Sequence, residues 1–181
     1  MKCFSIVYQH DSMLCGVACL KMICKYFGRE YSSDSLSKLC FATTEGVSML
    51  GINETAKTLG IETVCAKATP KELCETPLPC ILHWNQNHFV VLYKVKKGKK
   101  FYVADPGKGK TTYNLEDLKQ HWISTRSNGE DKGIAMFFET TPAFFTYQME
   151  VEENKKEQRS FKFLLGYFKK YRKAFSWIVL G

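Results

Sequence analysis

The hydrophobic pattern of this 181-residue chain changes period near residue 60, and that change limits the fold more than any other feature. Residues 15–27, CGVACLKMICKYF, repeat apolar residues at helical spacing, with Cys19, Leu20, Met22, Ile23, Tyr26 and Phe27 on one broad face. Gly28 stands where a C-terminal cap belongs. Ser32 or Ser33 can cap a short helix through Leu39, and Ser48 a further one over MLGINETAKTL, with Gly60 behind it. Beyond this point the helical spacing gives way to strands. IETVCAK (61–67), CILHW after Pro77 and Pro79, HFVVLYKV (88–95), FYVAD (101–105) and IAMFFE (134–139) are rich in β-formers.

HFVVLYKV and FYVAD flank a turn at Gly98, and Pro106 and Gly107 stop the second strand, so the pair reads as a hairpin of open turn type. TPKEL is a turn with a short helical piece, and LEDLKQHW a short helix. FSIVY (4–8) is either a short strand or an extended arm. Helices first and antiparallel strands second predict an α+β domain, a helical first half packed on a sheet. Its expected extent is residues 1–147. Residues 148–160 are polar and read as a linker. Residues 161–181 place Phe161, Leu164, Leu165, Phe168, Phe175 and Ile178 as an amphipathic helix, with the last eight residues, AFSWIVLG, too short to span a membrane. Folding of this helix back onto the domain is the alternative.

The formal charge of +8 invites a nucleic-acid reading. Lys162, Lys169, Lys170, Arg172 and Lys173 carry five of those charges in a stretch without acids, so the body is only mildly basic. KVKKGKK (94–100) reads as a solvated turn, and no nucleic-acid partner is expected. Eight cysteines follow no secretory signal and form no CxxC pair, which points to a reducing, cytoplasmic setting and gives little support for zinc at Cys15, Cys19 and His10. No cofactor is called for, and the chain has no phosphate-binding P-loop pattern.

Cys15 is the cysteine placed for chemistry. It opens the first long helix, where unpaired amides favour a thiolate, and Gly16 keeps bulk away from the sulfur. Cys19 and Cys24 lie deeper and read as core. His10, His83, His88 and His121 are the available bases. His88 opens the strongest strand, and Asp105 closes its partner. A turn near Gly98 brings the two ends together, so that Asp105 can orient the ring and favour its charged form. Gln9 can supply one oxyanion donor and the Cys15 amide the other. His10, five residues from Cys15 in the same loop, is a poorer base. Taken singly, each residue has an ordinary reading: a strand-end histidine, a turn aspartate, a surface amide.

QHDSMLCGVACLKMI and HFVVLYKVKKGKKFYVADPGKGK, in that order, resemble the two blocks of the double-glycine leader peptidases. These are papain-like cysteine peptidase domains of ABC transporters for bacteriocins and peptide pheromones. The resemblance covers roughly residues 4–140. It implies Cys15 as nucleophile, His88 as general base and acid, Asp105 as its orienting group and Gln9 as oxyanion donor. Leu14 stands where the family usually has an acidic residue. The implied reaction is cleavage of a precursor's leader after Gly-Gly, coupled to export. The implied partners are that precursor, the transmembrane and nucleotide-binding domains of one dimeric transporter, and an anionic membrane surface met by the basic tail. The implied place is the cytoplasmic face of the bacterial cell membrane, with this chain the N-terminal part of a longer protein. A non-catalytic docking domain, or a papain-like transferase or deamidase, are the alternatives.

Overall fold

A computed structural model of the protein describes residues 4–43, 46–127 and 129–147. The expected linker 148–160 and tail helix 161–181 lie outside the described residues. A 3₁₀ turn, Ser12–Leu14, leads directly into α1, Cys15–Tyr26. From Cys15 to Cys24 all of α1 but Lys21 is buried, because the sheet covers one side and other helices the rest, whereas Tyr26, expected on the apolar face, is exposed at the helix end. Lys21 escapes at the edge, where its Nζ donates to Ser33 Oγ. Gly28, at φ +99°, ends the helix as expected, since only glycine enters that conformation freely.

The two serine caps form as the sequence indicates. Ser32 Oγ accepts from the Ser35 N–H at the start of α2, Ser33–Leu39, and Ser48 Oγ from the Gly51 N–H at the start of α3, Met49–Thr58. Strand β1, Ile61–Ala68, is followed by α4, Pro70–Glu75, which opens on a reciprocal Thr69–Glu72 capping box. Strands β2, Cys80–Trp84, β3, His88–Lys96, and β4, Lys100–Asp105, then run antiparallel. Lys97 and Gly98, both at positive φ, make the β3–β4 turn a primed one.

Three elements were not apparent in the sequence: β5, Gly109–Tyr113, which precedes α5, Leu115–Trp122; then β6, Ile123–Ser127; and, after β7, Glu130–Thr140, the short α6, Pro142–Thr146. β5 (GKTTY) and β6 (ISTRS) are polar strands at the sheet margin, held by backbone ladders rather than by an apolar face. For the same reason β7 starts four residues before its apolar run. Residues 4–8 are an extended arm and not a strand, with Phe4 buried and stacked on Tyr93.

The sheet order is β1-β7-β2-β3-β4-β5, with β6 beside β7. On one face Val90, Leu92, Phe101 and Val103 pack with Leu73 of α4 and with Leu118 and Trp122 of α5. On the other, α1 lies along β3 and α3 along β1. Covering both faces explains the unbroken apolar run of β3, and burying each such side chain contributes about 1.5–3 kcal/mol. Helices and an antiparallel sheet in this sequence make the α+β fold that was expected. Among the described residues no helix is long and apolar enough to cross a membrane.

Candidate active site

Cys15 is the first residue of α1. Asp11 braces the turn before it, its Oδ1 accepting from the Met13 N–H at 3.0 Å. Gly16 lets the helix start press against the sheet: a Cβ there would lie 2.9 Å from Ile52 Cδ1 and 3.3 Å from Phe89 Cδ2. The close approach sets the Cys15 sulfur under the N-terminal end of β3, where it hydrogen-bonds the His88 ring and receives the Phe89 N–H.

His88 and Asp105 meet as the hairpin register predicts. His88 Nε2 lies 2.8 Å from Asp105 Oδ1, which leaves the ring's other nitrogen to face the thiol. Asp105 is 3% exposed, and its Oδ1 also accepts from the Gly107 N–H at 2.8 Å. The turn after β4 holds Gln9 as well: the Gln9 N–H donates to Pro106 O, and its side-chain amide packs beside Gly107. Gln9 Oε1 is enclosed without a hydrogen-bond partner, a costly state for a polar atom that calls for a reason other than stability.

The electrostatics favour an ion pair. Burial opposes ionisation of Cys15, but the His88 hydrogen bond, the Phe89 N–H, the imidazolium charge and the Gly16 N–H together hold the thiol below its ordinary range. Burial likewise opposes protonation of His88, yet Asp105 and Cys15 raise it to about 9. Asp105 is drawn down against its own burial by His88, the Gly107 N–H and Lys108. Cys19, Cys24 and Cys80 are pushed up by burial and lie in the core.

Cys15, His88 and Asp105 thus form one chain of contacts, and Gln9 is held beside the Pro106–Gly107 turn that follows Asp105. His10 is exposed in its loop, and His121 bonds Asn85 instead. The contribution of the Phe89 and Gly107 N–H groups was not foreseen, because a backbone donor leaves no mark on residue type. Among the described residues no three His, Cys, Asp or Glu side chains are grouped to hold a metal.

A thiol at a helix mouth bonded to an imidazole at a strand end is the working arrangement of cysteine peptidases, and the fold and site together define that class. Residues 3–126 match the model of the Peptidase C39 family, and the chain belongs to that family. It is 37% identical over 123 residues to the lactococcin-G-processing and transport ATP-binding protein LagD of Lactococcus lactis, covering 65% of this chain. It is 34% identical over 117 residues to the probable microcin-H47 secretion/processing ATP-binding protein MchF of Escherichia coli, again 65% of this chain. The match spans 17% of the length of each of these curated relatives. Among solved structures, the chain is similar to a double glycine motif protease from an AMS/PCAT transporter, in complex with the leader peptide. The TM-score is 0.66 and the identity 29%, over 76% of this chain and 91% of that one. The peptidase domain of Streptococcus ComA gives a TM-score of 0.64 at 27% identity, over 76% and 99%.

Proposed function

We propose that this peptidase cleaves the leader from a precursor peptide after a Gly-Gly site, in step with export by an ABC transporter. The observation that carries the reading is the relay from enclosed Asp105 through His88 to Cys15, with its 2.8 Å contact between ring and carboxylate. The names of LagD and MchF, which join processing to transport or secretion, and the leader peptide bound in the PCAT protease support the substrate class.

In this mechanism His88 holds the Cys15 proton, and the thiolate attacks the scissile carbonyl carbon. The Cys15 N–H and the Gln9 amide receive the oxygen as it becomes negative. The tetrahedral adduct collapses to a thioester while imidazolium His88 protonates the departing amine. Neutral His88 then takes a proton from water, which attacks the thioester and frees the leader. Asp105 keeps the ring in one tautomer and stabilises its charge. Two glycines need the least room, so a narrow cleft would reject side chains there by collision.

The same reading places residues 148–160 as a linker and 161–181 as an interfacial helix. KKYRK then meets anionic lipid at the cytoplasmic face, and a dimeric transporter supplies the transmembrane and nucleotide-binding domains. Incubating the chain with a Gly-Gly precursor and weighing the products tests it. Cleavage after the second glycine is the expected result. Leader binding without product points to a docking domain, and turnover confined to non-peptide amides to a transferase or deamidase.

A further inference from the structure

The β2–β3 turn that delivers His88 is built from residues in an unfavourable conformation. Asn85 has φ +49° and Gln86 φ +64°. Asparagine visits this region several-fold more readily than most residues, but glutamine does not. Two successive non-glycine residues there persist only where the surroundings hold them, and such strain collects at functional sites. The strain lies immediately before the proposed general base, because Trp84 at one end of the turn pairs across the hairpin with His88.

The turn is held from outside itself. On the face of α5, the His121 carbonyl accepts from the Asn85 N–H at 2.9 Å, and the His121 ring Nδ1–H donates to Asn85 Oδ1 at 2.8 Å. The His121 ring is fixed in turn, stacked on buried Trp84 with centroids 5.1 Å apart and meeting Tyr113 edge-on. On the face of α1, the His83 ring bonds the Gln86 carbonyl and packs on Phe89, with centroids 5.4 Å apart. Phe89 is the residue whose N–H reaches the Cys15 sulfur. The Asn87 N–H closes the turn onto Trp84 O at 3.2 Å.

We infer that Asn85 and His121 are positioning residues for the peptidase reaction, their clasp holding the strained turn so that His88 faces Cys15. The inference rests on the Cys15–His88 reading above. A turn free to relax would rotate the first residue of β3, and the imidazole would leave the sulfur while the strand beyond stayed paired. The strain is thus spent on aim: a ladder end alone would leave His88 to fray.

The test is alkylation of Cys15 by iodoacetamide across pH in the 181-residue chain, read at the Cys15 peptide by mass spectrometry because Cys65 and Cys74 are exposed and react as well. Asn85→Gly keeps the backbone conformation and the N–H bond to the His121 carbonyl, and removes only the side-chain half of the clasp. It should move the Cys15 profile up by about one pH unit, which is about tenfold less thiolate at any pH below the profile's midpoint. It should also lower kcat on a Gly-Gly precursor with KM unchanged. Asn85→Asp keeps an acceptor for His121 and should restore both. His121→Phe keeps the ring on Trp84, loses the donor and should shift like Asn85→Gly; it decides the matter if Asn85→Gly does not fold. A wild-type profile in either folded variant overturns the inference, even with a lowered melting temperature. So does an Asn85→Asp profile as impaired as that of Asn85→Gly. His88→Ala separates the two levels: if it leaves the Cys15 profile unmoved, the Cys15–His88 reading itself fails.

Discussion

His88 Nε2 and Asp105 Oδ1 lie 2.8 Å apart across seventeen residues of sequence, because a tight turn at Lys97–Gly98 folds β4 back along β3 and brings the end of one beside the start of the other. Asp105 is almost wholly enclosed, whereas the imidazole keeps an open side. The carboxylate therefore acts on one nitrogen from a dry pocket while the other remains available for proton exchange at the thiol.

If Cys15 is the nucleophile, Cys15→Ala removes the only group that forms the thioester. Cleavage of a Gly-Gly precursor should fall to background while leader binding persists. Mass spectrometry of the products and a binding titration check the two halves, and product formation at the wild-type rate would discard the assignment.

Gln9→Ala should slow kcat by roughly 10²–10³-fold, the usual cost of losing one oxyanion donor, with little change in KM. Gln9 is fastened through its backbone to Pro106, so the loop should keep its place when the side chain is trimmed. Steady-state kinetics decide; an unchanged kcat removes Gln9 from the mechanism.

The paired thiolate and imidazolium exist between the lowered value of Cys15 and the value of about 9 for His88. The pH profile of kcat/KM should rise through the first as the thiol loses its proton and fall through the second as the ring loses its own. Asp105→Asn removes the main support of the imidazolium, so the basic limb should move down from about 9 toward 6.5, with kcat lower by ~10²-fold. NMR titration of the His88 ring gives the same number independently. A basic limb that stays in place rules out Asp105 as the orienting group.

Stability should follow the same linkage. His88 holds its proton more tightly folded than unfolded, so its contribution is complete below pH 6.5 and is lost as the pH rises through about 9. The stability gap between the wild type and Asp105→Asn should therefore narrow over that interval. Urea unfolding at a series of pH values measures it, and a gap that widens with pH contradicts the pairing.

Gly60→Ala should destabilise the fold without touching the site. Gly60 has φ +81°, and a Cβ there would run into the backbone of Ala143 and Phe144 at the start of α6. Backbone strain alone costs about 1–3 kcal/mol, and loss of the Thr141 bonds to Gly60 O would add to it. A lowered urea midpoint with kcat retained is the expected result; an unchanged midpoint would mean that α6 docks elsewhere in solution.

Much of this architecture is visible in residue order. The capping serines 32 and 48, the glycine at 28, and the apolar runs of α1, β2 and β3 are local signals, each set by chain conformation and hydrophobic period. The catalytic candidates were legible for the same reason, since Cys15 opens a helix and His88 and Asp105 close matching strand ends. β5 and β6 were not, because their polar residues are held by ladder bonds to neighbours distant in sequence. Nor was the role of Gly16, whose lack of a Cβ matters only once Ile52 and Phe89 are packed against it.

Local order along the chain thus dictates which elements form and which side chains stand at their ends, because caps, turns and hydrophobic period act within a few residues. Which backbone N–H groups reach the sulfur, and what holds the Asn85–Gln86 turn in its strained form, depend on contacts between segments far apart in the chain. Those contacts arise only when the helical half closes on the sheet, and so they belong to the tertiary fold alone.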